Sequence, residues 1–167
     1  MDPYGGGPSL LSYTQFQHVL KAEFGRARRY GVPLACVVLA IDRLDALRDA
    51  GGVVARDQVL ARIIGRLQGQ VRGCDVLAHW GDRLVALLPQ TAVEGACAVA
   101  ERFRSVVASE SFTFEGTARR LTASAGVAVV ESKSTLFFDS LPKAAESAAQ
   151  QAVAAGGDRS VIAAGNC

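Results

Sequence analysis

No run of apolar residues here approaches the ~20 needed to span a bilayer. The opening Met1–Gly7 is polar and Gly-rich, with no basic stretch ahead of an apolar one, so no secretory leader is expected. The chain is therefore expected to be soluble and cytoplasmic, with no membrane contact of its own. Its four cysteines, Cys36, Cys74, Cys97 and Cys167, contain no Cys-x-x-Cys pair, which removes the zinc and thioredoxin-like readings. His18 and His79 have no partners at ligand spacing, and no metal set is expected. A net charge of +2 without a basic block gives no footprint for nucleic acid. No internal repeat or linker divides the 167 residues, a single-domain length.

Half of the chain is apolar, enough for a full core. Of its 18 basic residues 15 are arginine, the side chain suited to bidentate recognition of phosphate and guanine. The abundance of Ala, Val and Gly points to codon bias as the source of the overall excess. Cys36 and Cys97 lie in apolar patterns and act as small hydrophobes.

Periodicity predicts the elements. Residues 13–30 carry Phe16, Val19, Leu20, Phe24 and Ala27 at helical spacing, and Gly31 and Pro33 end that helix. Leu34 to Ile41 is a continuous apolar run, as in a central strand buried on both faces. A short helix from Arg43 to Ala50 closes at Gly51-Gly52, and a longer one runs from Val53 to Val71. Asp75 to Trp80 and Arg83 to Leu88 read as strands joined by a two-residue turn, Gly81-Asp82. Thr91 is the expected N-cap of a helix to Ala108, with Glu94 completing a capping box. Phe112–Phe114 reads as an edge strand, Arg120–Val130 as one long strand, a helix from Asp139 or Ser140 to Ala155 follows, and Ser160–Ala164 ends the fold. The expectation is an α/β sandwich with a central mixed sheet carrying a β-hairpin, with helices around it.

Two motifs carry the function. Arg72-Gly73-Cys74-Asp75 stands just upstream of His79-Trp80-Gly81-Asp82-Arg83-Leu84. The pair resembles the signature region of GGDEF domains, which make cyclic di-GMP from two GTP molecules on a fold related to the nucleotidyl-cyclase palm. Arg28-Arg29-Tyr30-Gly31-Val32-Pro33-Leu34, Ile41-Asp42, Asp57, Ala100-Glu101-Arg102-Phe103-Arg104 and Thr122-Ala123-Ser124-Ala125-Gly126 match in order and spacing. The resemblance covers residues 10–164, behind a flexible N-terminal segment 1–9.

The family hairpin reads Arg-Tyr-Gly-Gly-Asp/Glu-Glu-Phe; here it is Trp80-Gly81-Asp82-Arg83-Leu84, one glycine short. Of the carboxylates that the resemblance implies for the divalent metals, one position is Ala40 and the other is Asp82, with Arg83 at the next acidic position. Arg83 is expected to pair with Asp82, and Trp80 to pack over Arg83. At the guanine-reading positions Asp57 is present and Arg48 replaces an Asn. Val153 and Gly157 replace the phosphate-holding Lys and Arg. No catalytic residue set is left, and the chain is expected not to be an enzyme. Asp42 reads as a strand-end or N-cap residue and Asp57 equally as a first-turn helix acid.

The family's product-binding, inhibitory site is by contrast retained as Arg72, Asp75 and Arg102. Guanidinium groups can address guanine O6 and N7 or phosphate, and a carboxylate can accept from guanine N1–H and the exocyclic amine. The resemblance implies a cyclic di-GMP receptor that needs no cofactor. It also implies a second protein surface, from another copy or a partner signalling domain, because the ligand binds such sites as a stacked dimer. The alternative is a ligand-independent interaction or dimerisation module, with Arg72 and Asp75 merely a surface pair.

Overall fold

The structure is a computed structural model and describes residues 10–114, 116–130 and 137–163. The expected flexible segment 1–9 and Ala164 lie outside them. Helix α1 (Tyr13–Tyr30) opens on a capping box: Ser12 accepts from the Gln15 N–H, and the Gln15 side chain accepts from the Ser12 N–H. It ends where Gly31 turns left-handed, φ 64.

Strand β1 (Leu34–Ile41) follows and is the centre of the molecule. Its period of two sends Ala35, Val37, Leu39 and Ile41 into one apolar cluster and Leu34, Cys36 and Val38 into the other. That is why the run has no polar face. Burial pushes the Cys36 thiol pKa well up, so Cys36 is an inert packing residue. The sheet order is β2-β3-β1-β6-β7, with β2 (Val76–Trp80), β3 (Arg83–Pro89), β6 (Ala123–Val130) and β7 (Ser160–Ile162). Among the pairings of these five strands only β6–β7 is parallel, so the sheet is mixed.

Helices α2 (Leu44–Gln68) and α3 (Val93–Ala108) cover one face; α1 and α4 (Ser140–Ala154) cover the other. Helix α2 is broken at Gly52 (φ 81, ψ 176), so the expected two helices are present on either side of the double glycine. Helix α4 lies so close to β6 that a Cβ on Gly126 would sit 1.9 Å from the Ala145 carbonyl oxygen. Glycine is required there by contact.

The expected edge strand at Phe112–Phe114 is present as β4 (Ser111–Phe114), which pairs with β5 (Thr117–Arg120) in a separate two-stranded ribbon. Two expectations are corrected. Arg120–Val130 is not one strand. Arg120 pairs with Ser111, while Ala123 begins pairing with Ile41, and Leu121-Thr122 carries the chain between the sheets. Alternation reported extended backbone and could not report the change of partner. Thr91 does not cap α3, whose N-cap is Ala92 without a side-chain bond; the Thr91 hydroxyl is used elsewhere, as described below.

Candidate functional site

The end of β1, the β2–β3 turn and the C-terminal end of α4 meet around a cavity of about 1040 Å³. Ala40, Asp42, Asp82, Arg83, Val153 and Gly157 all line it. The positions that the resemblance assigned to metal and phosphate chemistry are thus brought together, and their local partners define what they can do.

Asp42 ends β1 with both oxygens engaged. It accepts from the Thr122 hydroxyl at 2.8 Å, the Ser124 hydroxyl at 2.7 Å and the Asp158 N–H at 2.9 Å. It ties β1, β6 and the loop after α4 together, and Arg43, not Asp42, occupies the N-cap position of α2. Gly157 (φ 75) belongs to this arrangement: a Cβ there would lie 2.9 Å from Asp42 Oδ2.

In the β2–β3 turn Trp80 and Arg83 are cross-strand partners. Gly81 has φ 62, while Asp82 is not among the residues with positive φ, as a two-residue turn with glycine first requires. Arg83 does not pair with Asp82. It donates to Glu146 of α4 at 2.9 Å, and Asp82 instead accepts from Arg56 of α2 at 2.5 Å. Arg56 also reaches Asp57 at 3.2 Å, so one guanidinium, 19% exposed, spans both carboxylates. Arg48 forms a loose ion pair with Asp45, one turn away at 3.9 Å. The residues present do not fit a divalent metal pair: Ala40 offers no ligand, Asp42 already accepts three hydrogen bonds from neutral donors, and Asp82 is held by a cation.

Trp80 does not pack over Arg83 either. Its ring stacks on Tyr13 with centroids 4.5 Å apart and planes 10° from parallel. The chain ahead of α1 makes this contact available, because Leu11 pairs with the β2 edge through Leu11 N–H to Leu77 O and His79 N–H to Leu11 O. Burial, with lesser help from nearby anions, pushes the Tyr13 hydroxyl up to about 12.

At the other end of β2, Arg72 and Asp75 form a closed unit. Asp75 Oδ1 accepts from Arg72 Nη2 at 3.0 Å and Oδ2 from the Arg72 backbone N–H at 2.9 Å, while Asp75 N–H returns to Arg72 O at 3.0 Å. Arg72 Nη2 also donates to the Pro89 carbonyl and to the Thr91 hydroxyl, at 2.9 and 2.8 Å. This is what removes Thr91 from its expected capping role. The hydrogen bond that Arg72 donates to Asp75, above all, holds Arg72 above its ordinary pKa. The Asp75 side chain is only 2% exposed and the Arg72 side chain 55%. Asp75 therefore orients, and Arg72 is presented. Arg102 of α3 reaches the Gln70 carbonyl at 3.4 Å, on the same connection that carries Arg72. It lines a shallow groove with Arg66 and Gln70 that does not include Arg72. Cys74 is exposed, with its thiol 3.8 Å from Asp75 Oδ1. Sequence reasoning singled out Arg72, Asp75 and Arg102 as the ligand site and passed over Arg56, which carries no signature of its own.

Comparisons with known proteins identify the family and the fold. The family described as "Diguanylate cyclase, GGDEF domain" matches residues 9–159. The diguanylate cyclase DgcP of Pseudomonas aeruginosa is 32% identical over 163 residues, 97% of this chain and 24% of DgcP. The chain thus spans about a quarter of that relative. Among solved structures, the diguanylate cyclase SiaD of Pseudomonas aeruginosa, in complex with its activator SiaC, superposes with a TM-score of 0.84 at 28% identity, over 97% of this chain and 61% of SiaD. The coiled coil and GGDEF domain of DgcB from Caulobacter crescentus, in complex with c-di-GMP, gives 0.83 at 21% identity, over 93% of this chain and 82% of that one. Profile, relatives and fold together place this chain in the GGDEF domain family.

Proposed function

We propose that this domain binds cyclic di-GMP and does not synthesise it, acting as a cytoplasmic receptor in second-messenger signalling. The observation that carries the loss of synthesis is the state of the carboxylates around the large cavity. Metal-assisted phosphoryl transfer needs anionic ligands free to neutralise charge on the phosphates. Asp42 is occupied by three donors and Asp82 by Arg56, and Ala40 is methyl. Binding is supported by Arg72, whose guanidinium is pre-oriented by Asp75, Pro89 and Thr91 while more than half exposed. A fixed guanidinium loses less entropy on meeting a bidentate acceptor. Arg102 of α3, which donates to the Gln70 carbonyl of the connection carrying Arg72, is the third residue of the proposed site. That DgcB was solved with c-di-GMP supports the ligand class.

One observation favours a second reading, a ligand-independent interaction module. Asp75 is fully satisfied inside the fold, as a purely structural pair would be. Calorimetric titration separates the two readings. The receptor reading expects saturable heat with cyclic di-GMP and its loss in Arg72→Ala. The module reading expects no heat with either protein.

A further inference from the structure

The β4–β5 ribbon lines one side of the large cavity and carries cations that lie outside the signature motifs. Phe112, Thr117, Arg119 and Arg120 line the cavity from the ribbon, and Arg43 lines it from the start of α2. Phe112 and Arg119 are cross-strand partners, and Thr117 lies two residues from Arg119, so these three share one face of the ribbon. Arg43, Arg119 and Arg120 are exposed, and among the described residues none of them makes a hydrogen bond or an ion pair. The acids lining the same cavity do not answer them. Asp42 is taken up by Thr122, Ser124 and the Asp158 N–H, Asp82 by Arg56, and Asp158 by Arg104 at 2.8 Å. Asp45 has its loose pair with Arg48. The wall is left with unanswered donors for an anion. Two apolar side chains also line the cavity: Val153 is 46% exposed, and Phe112 is half-buried.

We infer that this wall docks an extended acidic segment of another protein, added to the free edge of β5 with its carboxylates on Arg119, Arg120 and Arg43. Strand β5 pairs with β4 alone among the described strands, and all four of its residues are exposed. In an antiparallel pair only alternate residues bond inward, so backbone donors and acceptors along the outer edge of β5 are open to a further strand. Carboxylates suit the arginines as bidentate acceptors. Successive strand residues point to opposite faces, so Arg119 and Arg120 diverge; they match charges spaced along a chain and not one compact phosphate group. The apolar side chains of such a segment would meet Phe112 and Val153. A second copy does not supply it, because none of the seven strands contains Asp or Glu. Arg72 does not line this cavity, so the inference stands apart from cyclic di-GMP binding.

Fluorescence anisotropy of a fluorescein-labelled peptide of alternating glutamate and valine, titrated with the whole chain, tests this. The peptide should bind saturably, and its counterpart of alternating lysine and valine should not. Arg119→Glu and Arg43→Glu should each weaken binding by about tenfold or more, as a charge-assisted contact is lost. Lys21→Glu makes the same change of charge on α1, against the other face of the sheet, and should bind as the unaltered protein does. N-methylation of the peptide backbone should weaken binding too, since an added strand must donate its N–H groups. Phenylglyoxal labelling of arginines, read by peptide mass spectrometry, needs no variant, and the peptide should slow it at Arg119 and Arg43. No rise in anisotropy, equal affinity in Arg119→Glu and the unaltered protein, or an N-methylated peptide that binds as well would overturn the inference. So would an oligonucleotide of the same charge that binds as tightly, since the arginines would then attract any polyanion.

Discussion

Arg56 of α2 and Asp82 of the β2–β3 turn form an ion pair across 26 positions of sequence, and the same guanidinium holds Asp57. A cation thus stands between Asp82, the acid of the β2–β3 turn, and Asp57. Restoring the missing carboxylate alone will not rebuild a metal site. Ala40→Asp should yield no cyclic di-GMP from GTP with Mg²⁺ or Mn²⁺ when the products are separated by chromatography. Product above a protein-free control would show that Arg56 yields Asp82 to a metal.

Asp42 is a structural residue. Asp42→Ala would leave the Ser124 hydroxyl, which is fully buried, and the Asp158 N–H without their acceptor. Losing a shared charged acceptor should destabilise the fold by on the order of 3 kcal/mol. Urea unfolding followed by circular dichroism measures it. A change near zero would mean that water replaces the carboxylate.

Stability should fall in acid. The Ser160 hydroxyl and then Arg104 hold the Glu101 carboxyl below its ordinary value of 4.5. Desolvation pushes Glu110 up, but hydrogen bonds and charge from Arg66 and Arg62 more than offset it, and its pKa too is lowered from 4.5. Both folded values lie below the unfolded one. Their contribution is therefore complete above that value and is lost as pH falls through the folded values. The urea midpoint should drop below pH 4.5, and a Glu101→Gln, Glu110→Gln double variant should show a weaker acid dependence with a lower plateau at neutral pH.

Trp80 is the single tryptophan, and Tyr13 covers one face of it. Tyr13→Ala should move its fluorescence emission to longer wavelength and cost about 1 kcal/mol beyond lost area, the value of an aromatic pair. An unchanged spectrum would show that the stack is not maintained in solution.

The elements with one clear period were legible. Helix α1 and strand β1 match their expected ranges because an amphipathic stripe and an unbroken apolar run each admit one burial pattern. The break at Gly52 and the turn at Gly81 were legible because glycine marks left-handed backbone. What failed depended on distant partners. Thr91 looked like a cap until Arg72, 19 positions earlier, claimed its hydroxyl. Arg83 looked like the partner of its neighbour Asp82 until Glu146 lay within reach from α4. At the proposed ligand site Arg72 and Asp75 were legible as a motif.

On the function proposed above, the domain holds cyclic di-GMP through Arg72 without making it. Isothermal titration of the whole chain with cyclic di-GMP, beside Arg72→Ala, tests it most directly. The account predicts saturable binding, weakened by about tenfold or more in Arg72→Ala as one charge-assisted bidentate contact is lost. No heat from the unaltered protein, or equal affinity in both, would contradict it.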